Sequence, residues 1–255
     1  GDQAVEARAL TSLGVIAWHQ GNYEQAAGYL ERAAELFSRI SSRTGQAYAL
    51  GNLGLALMRL GRCEEAAGRL ELALSLFGQA GDPSGEAWAL VNLGDVNVHR
   101  SHYQLATANL RQALALFQGQ GNSAGEAHAL SNLGDVARLE GNYQQATGHL
   151  RQALMLFRAI ADQAGQAEAL NGLGEVALAC GKAGHSRTQH SAALALAAQI
   201  GELYEQARAH YGLAEAHHAD GDGDQARYHR QEALTLYSGL GVPEAERVRA
   251  LLVVT

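Results

Sequence analysis

Along the chain, leucine, alanine and glycine return in the same order every 40 residues. Leu10, Leu50, Leu90, Leu130 and Leu170 share one phase, and Leu13, Leu53, Leu93, Leu133, Leu173 and Leu213 share another. Gly14, Gly54, Gly94, Gly134 and Gly174 stand beside the second set. Gly21, Gly61, Gly141, Gly181 and Gly221 follow, then Ala26, Ala66, Ala106, Ala146 and Ala226, then Leu30, Leu70, Leu110 and Leu150. A fixed period of this size marks stacked supersecondary units. Within a period the apolar positions fall three and four apart, as in Ala106, Leu110, Ala113, Leu114 and Phe117, which makes one stripe of a helix. Six units result, over about 2–41, 42–81, 82–121, 122–161, 162–201 and 202–241.

Each unit divides into two helices. Asp2, Ser42, Asp82, Asn122 and Asp162 share a phase and are residue types that accept from orphan N–H groups, so they are expected N-caps. Pro83 after Asp82 suits the first helical position. The first helix, A, is predicted over about 83–99 in the third unit, and helix B begins near Tyr23, Tyr103 and Tyr143. Ala87, Ala89 and Gly94 between Leu90 and Leu93 predict close packing within the hairpin. No hairpin buries both helices alone, so the chain is predicted as an all-α, right-handed solenoid of six hairpins forming a single domain over 1–255, with the A helices lining a concave groove. Val242-Pro243-Glu244 opens a last stretch predicted to be a capping helix at about 243–252. No comparable cap precedes the first unit, which predicts exposed apolar surface and self-association there. In the fifth unit His190 and Ala197 stand where Leu150 and Phe157 stand in the fourth, so the unit is either a tolerated weak repeat or a soft joint.

The run Leu50-Gly51-Asn52-Leu53-Gly54, with Gly21-Asn22-Tyr23 and Ala26, resembles the tetratricopeptide family over essentially the whole chain. The unit of 40 residues exceeds that family's about 34, and most units lack its proline, which resembles the longer-helix branch of kinesin light chains and spindle-orientation adaptors. The ending is more specific. Ala207-Arg208-Ala209-His210-Tyr211-Gly212-Leu213-Ala214, Gly221-Asp222-Gly223-Asp224-Gln225-Ala226-Arg227, Ala233-Leu234-Thr235-Leu236-Tyr237 and Leu240-Gly241-Val242-Pro243-Glu244-Ala245 resemble the carboxyl terminus of actinobacterial regulators of the antibiotic regulatory protein type. That resemblance implies a sensor or partner-binding arm, with NTPase and DNA-binding domains upstream in the parent chain. The start, a lone Gly1 before the cap-phase Asp2, suggests a domain taken from a longer protein.

Composition narrows the function classes. Two prolines against 30 glycines and 47% hydrophobic residues fit a helical core. A net charge of -7 argues against direct nucleic-acid contact. Cys63 and Cys180 are far apart, which indicates neither a disulfide framework nor zinc and suits a reducing, cytoplasmic setting. No run of 18 apolar residues and no signal-peptide start are present, so no membrane is expected. Gly181-Lys182 lacks the upstream glycine of a P-loop, and Glu215-Ala216-His217-His218 holds a single Glu-x-x-His pair where di-iron bundles use two. No cofactor, metal or catalytic residue is assigned, and the chain is not expected to be an enzyme. His210 and His217, seven residues apart on one helix face, are a candidate pH-sensitive pair or simply exposed histidines.

At 100° per residue, Tyr48, Gly51, Asn52, Leu55, Met58 and Arg59 fall in one arc of helix A, the expected groove face. At its centre stand Val15, Leu55, Asp95, Asp135, Glu175 and Glu215, apolar first and then an acidic ladder that suits a basic peptide or instead holds neighbouring helices together. Asn52, Asn92 and Asn132 form an amide ladder, a donor and acceptor set for the backbone of an extended peptide or for the next helix; this too resembles kinesin-light-chain-like grooves. Asn171 and His128 lie on the same arc. Trp18, Trp88, Tyr48 and Tyr211 add aromatic surface, and Arg59, Arg138 and Arg208 are placed to meet a carboxylate. The expected function is recognition of a peptide or protein segment that switches the parent regulator. A constitutive adaptor and a sensor of a small hydrophobic signal are the alternatives.

Overall fold

The structure, a computed structural model, describes residues 2–253. It contains α1 (Asp2–His19), α2 (Tyr23–Arg39), α3 (Arg43–Arg59), α4 (Cys63–Ala80), α5 (Pro83–His99), α6 (Tyr103–Gln120), α7 (Ser123–Leu139), α8 (Tyr143–Ala159), α9 (Gln163–Ala179), α10 (Ala183–Ile200), α11 (Leu203–Ala219), α12 (Gly223–Leu240) and α13 (Glu244–Val253). No strand occurs among the described residues. The fold is all-α, six helical hairpins and a closing helix. Odd-numbered helices up to α11 are the A helices and even-numbered ones the B helices. The chain divides into two compact units, Gly1–Gly125 and Glu126–Thr255, where the repeat alone suggests one array.

Helix bounds follow the register. α5 covers Pro83–His99 as expected, B helices open at Tyr23, Tyr103 and Tyr143, and α13 overlaps the expected 243–252. The side chains of Asp82, Asn122 and Asp162 accept from the backbone N–H of Gly85, Gly125 and Gly165 at 2.9–3.0 Å, so these three caps are made. Ser42 makes no such bond, and Asp2 lies inside α1, so neither caps in the predicted way. Asp222, in the phase that precedes B helices, caps α12 through Gln225 N–H at 3.2 Å.

Close packing within and between hairpins depends on two glycine phases. Leu70 of α4 sits over Gly54 of α3, and Leu110 of α6 over Gly94 of α5, so near that a Cβ on either glycine would lie 2.6 Å from the leucine. The phenylalanine closing each of the first four B helices lies over the third residue of the next A helix, and Phe37, Phe77, Phe117 and Phe157 occupy the space that a Cβ on Gly45, Gly85, Gly125 or Gly165 would need. A neighbouring A-helix ring then meets that phenylalanine edge-on: Tyr48 with Phe77 at 4.9 Å, Trp88 with Phe117 at 5.1 Å, and His128 with Phe157 at 4.9 Å.

Turns between helices use a left-handed residue. Glycine fills most of these positions, but Ser41, Ser101 and Ala161 hold φ of 57, 60 and 56°. A Cβ there is strained by roughly 1 kcal/mol. Ser101→Gly and Ala161→Gly should each raise stability by about that amount, read as an upward shift of the thermal midpoint. Gly85→Ala should cost about 1–3 kcal/mol through overlap with Phe77. In a double-mutant cycle Phe77→Ala and Gly85→Ala should be non-additive, the pair losing less than the sum.

Candidate functional site

In the first unit the A helix α3 lies against both α1 and α5, while the B helices α2, α4 and α6 make at most marginal mutual contact. The open side of the A row is therefore the face to read. Tyr48 is 46% exposed there and its hydroxyl donates to Asp82 at 3.0 Å. Burial and that hydrogen-bonded carboxylate raise the Tyr48 pKa. Asn52, Leu55, Arg59, Trp88 and Asn92 are half-buried on this side. Neither the Asn52 nor the Asn92 amide has a hydrogen-bond partner among the described residues. Asp95 lies 3.9 Å from His99. Trp18 is half-buried edge-on to Tyr23, and its enclosed indole N–H has no partner among the described residues. Met58 is buried in the core and not in the groove, whereas a Cβ at Gly51 would meet nothing within 4 Å.

The second unit departs from the expected ladder. Asp135 lies 3.6 Å from Arg138 and 3.5 Å from Arg208, and Glu175 lies 2.7 Å from Arg208 and 3.0 Å from Arg138. Glu215 pairs with the buried Arg230 at 3.1 Å. These acids are paired within the chain, Asp135 and Glu175 by Arg138 and Arg208 and Glu215 by Arg230. Burial alone would raise Glu175, but Arg208 and Arg138 outweigh it and hold the carboxyl at about 2. Burial disfavours the Arg208 charge, and Glu175, Asp135 and Glu205 more than compensate.

Asn171 is fully buried, a correction to its placement on the groove face. Its Nδ2 donates to the Glu205 carbonyl at 3.1 Å and to Glu205 Oε2 at 2.9 Å. Its Oδ1, which can only accept, is 2.8 Å from His190 Nδ1, so His190 carries its proton on Nδ1. Burial is the main reason that the His190 pKa falls to about 4, with Glu175 opposing and Arg208 assisting. Asn132, one residue further round its helix, stays half-buried with no hydrogen-bond partner among the described residues.

This network explains the irregular fifth repeat. Ala197 replaces the phenylalanine and Glu205 replaces the glycine that a ring would cover, so the carboxylate enters where other junctions hold a ring. His190 takes the leucine's seat on Gly174 and also fills the space beside Gly212. The junction is polar and interlocked, which is not the picture of a joint that has simply lost volume. Glu168 stands in the aromatic phase of Tyr48 and Trp88. Burial first, then the Glu205 and Asp135 charges, push its carboxyl up to about 8 against the pull of Ser131 and Arg208. His128, 3.8 Å from Asp162 and 3.9 Å from Glu168, has its pKa lowered by burial, with Asp162 opposing. Tyr211 is half-buried, with Arg247 5.4 Å above its ring.

Glu168, Glu205 and Arg230 escape a reading of single positions. Paired departures in the 40-residue register, Ala197 with Glu205 above all, are the signal that finds them. Among the described residues no group of three or more His, Cys, Asp or Glu is placed to hold a metal ion, and no helix is long and apolar enough to cross a membrane.

The tetratricopeptide repeat profile matches residues 5–79, 45–119 and 85–159, and a second profile of the same description matches 207–231. No curated protein sequence matches the chain significantly. Among solved structures, apo RapI is similar at 15% identity over 92% of this chain and 84% of its own, with a TM-score of 0.75. A Rap protein complexed with Competence and Sporulation Factor is similar at 15% identity over 97% and 74%, also at 0.75. BtubC from P. vanneervenii follows at 17% identity over 86% and 92%, at 0.64. These likenesses show the fold.

Two opposite pH limbs are expected in the second unit. His190 binds its proton more weakly folded than unfolded, so its contribution is full above about 6.5 and is lost as pH falls towards 4. His190→Leu should remove that acid limb. Glu168 keeps a proton that the unfolded chain releases, so stability falls as pH rises from about 4.5 through 8. Glu168→Gln should flatten this limb in denaturant midpoints taken between about pH 5 and 9.

Proposed function

The chain belongs to the tetratricopeptide repeat family, and on that premise we propose that its A-helix faces bind an extended peptide or protein segment by the main chain. The observation that carries this is the pair of unfilled, half-buried amides of Asn52 and Asn92, set one repeat apart and flanked by Tyr48 and Trp88. An amide offers a donor and an acceptor together, the complement of a peptide unit, and aromatic neighbours supply contact area at low entropic cost. Asn132 offers the same group in the second unit. The Rap protein with its bound factor has this fold at low identity, which supports a binding role without naming the ligand.

Charge preference differs from a bare acidic ladder. Asp135, Glu175 and Glu215 are met by the chain's own arginines, so a basic segment gains most at Asp95, whose ionic neighbour among the described residues is His99. In the parent protein the occupied groove acts as the sensing arm of a transcriptional regulator, biasing upstream NTPase and DNA-binding domains. The C-terminal run from Ala207 to Ala245 supports this role. Ligand-dependent change in the parent's oligomeric state separates it from a constitutive adaptor.

Peptides selected on the intact chain from a random display library provide the test. Asn52→Ala and Asn92→Ala should each weaken binding about five- to tenfold with the thermal midpoint unchanged, because neither amide holds the fold. Unchanged affinity, or lost stability, would overturn the reading. Asp95→Lys should select against basic peptides, while Asp135→Lys should instead destabilise the chain by setting a third cation beside Arg138 and Arg208.

A further inference from the structure

The last hairpin of the second unit brings three histidines into one row. His210 and His217 lie two turns apart on one face of α11, and His229 of α12 enters between them. Its ring lies 5.2 Å from His210 at 42° and 5.6 Å from His217 at 23°. The Nδ1 atoms of His210 and His229 are 2.9 Å apart. Two ring nitrogens at that distance hold one proton between them. With none, two lone pairs oppose; with two, both atoms are donors and the contact breaks. Tyr228 touches His229 edge-on at 5.0 Å, Glu232 of α12 acts on His210, and Asp222 lies 3.3 Å from His217 Nδ1. From the neighbouring α10, Arg187 is paired with Asp220. Arg187, Ser191, Leu194, Leu213, His217 and His229 line a cleft of about 500 Å³.

We infer that the His210, His229 and His217 row is an acid-opened latch: it holds α12 on α11 while one proton is shared, and it releases α12 and widens the cleft when a second proton arrives. Histidine is suited to this because its ordinary titration falls near neutrality. The environment delays the second proton. Burial and then the neighbouring His210 and His217 lower His229 to about 4, and burial lowers His210 with Glu232 opposing. The closed form therefore binds fewer protons than the open form between about 4 and 6.5, and it loses stability as pH falls through that window. α12 packs against α11 and α13, so the cost falls on the last hairpin and its closing helix, and local opening precedes global unfolding.

The test uses the whole chain. Ring 15N NMR should show His210 and His229 sharing a single proton at about pH 7.5 and His229 titrating well below about 6.5. Amide exchange, corrected for intrinsic rates, should show α12 protection falling about tenfold or more between about pH 7.5 and 5.0. α4, remote in the register, should stay protected, and α10, which reports on His190, gives the internal comparison. His229→Gln, which places at this phase the residue type found at Gln189 in the fifth repeat, should abolish the α12 response. The latch is refuted if His229 titrates near its ordinary value, if α12 loses protection only together with α4, or if His229→Gln keeps the full pH dependence. The ring titration of the unaltered chain decides the matter even where the variant folds poorly.

Discussion

A large side chain set directly on a glycine is the contact from which the rest of this structure follows. Each of the first four hairpins closes because a B-helix leucine occupies the space above an A-helix glycine, and the junction after each closes because a phenylalanine does the same. Dispersion and burial act fully only when the backbones come this near, and a single methyl group would hold them apart. The glycines are therefore part of the core although they contribute no side chain to it. The alanines that accompany them, Ala47, Ala49, Ala87 and Ala89 among others, are buried for the same reason.

That constraint also governs how the repeat can vary. At the fifth junction the phenylalanine is gone, and the glycine under it has become glutamate. One change makes room and the other fills it. A buried carboxylate is costly unless it is bonded, so the neighbourhood changes with it: Asn171 reaches Glu205, His190 reaches Asn171, and Arg208 joins Glu205, Glu175 and Asp135. What looks like a degenerate repeat position by position is one coordinated replacement of an apolar contact by a polar one. Polar networks of this kind are intolerant of partial disruption, because each member leaves another charge or donor unpaired when it is removed.

Much of this was legible in the chain itself. Identity at a fixed 40-residue offset locates helices, turns and cap phases; the helix bounds agree within a residue or two at α5 and α13, and the starts agree at α2, α6 and α8. The candidate site was legible only in part, for geometric reasons. Asn132 and Asn171 sit one step apart in their units, and about 100° of rotation leaves one half-buried and sends the other to the core. Arg208 reaches Asp135 across 73 residues of sequence, so no local spacing shows that the acidic ladder already has its cations. His229 falls in a phase filled elsewhere by Tyr29, Arg69, Asn109, His149 and Gln189, which carries no register signal at all.

The same distinction bears on recognition. In a repeat protein, residues that keep the register are engaged in holding neighbours, and a ligand must be met by residues that the packing leaves over. Asn52 and Asn92 satisfy both conditions: they recur in register, yet their amides bind nothing among the described residues. The acids and arginines of the second unit fail the second condition, since their charges are spent on one another at 2.7–3.6 Å. A partner therefore gains little from opposite charge there and more from peptide groups and apolar surface, because an ion pair already made must be broken before its members can serve a ligand. On the binding role proposed above, selectivity on such a face comes from the spacing of the amides and the shape between the rings, quantities set by the glycine contacts behind them.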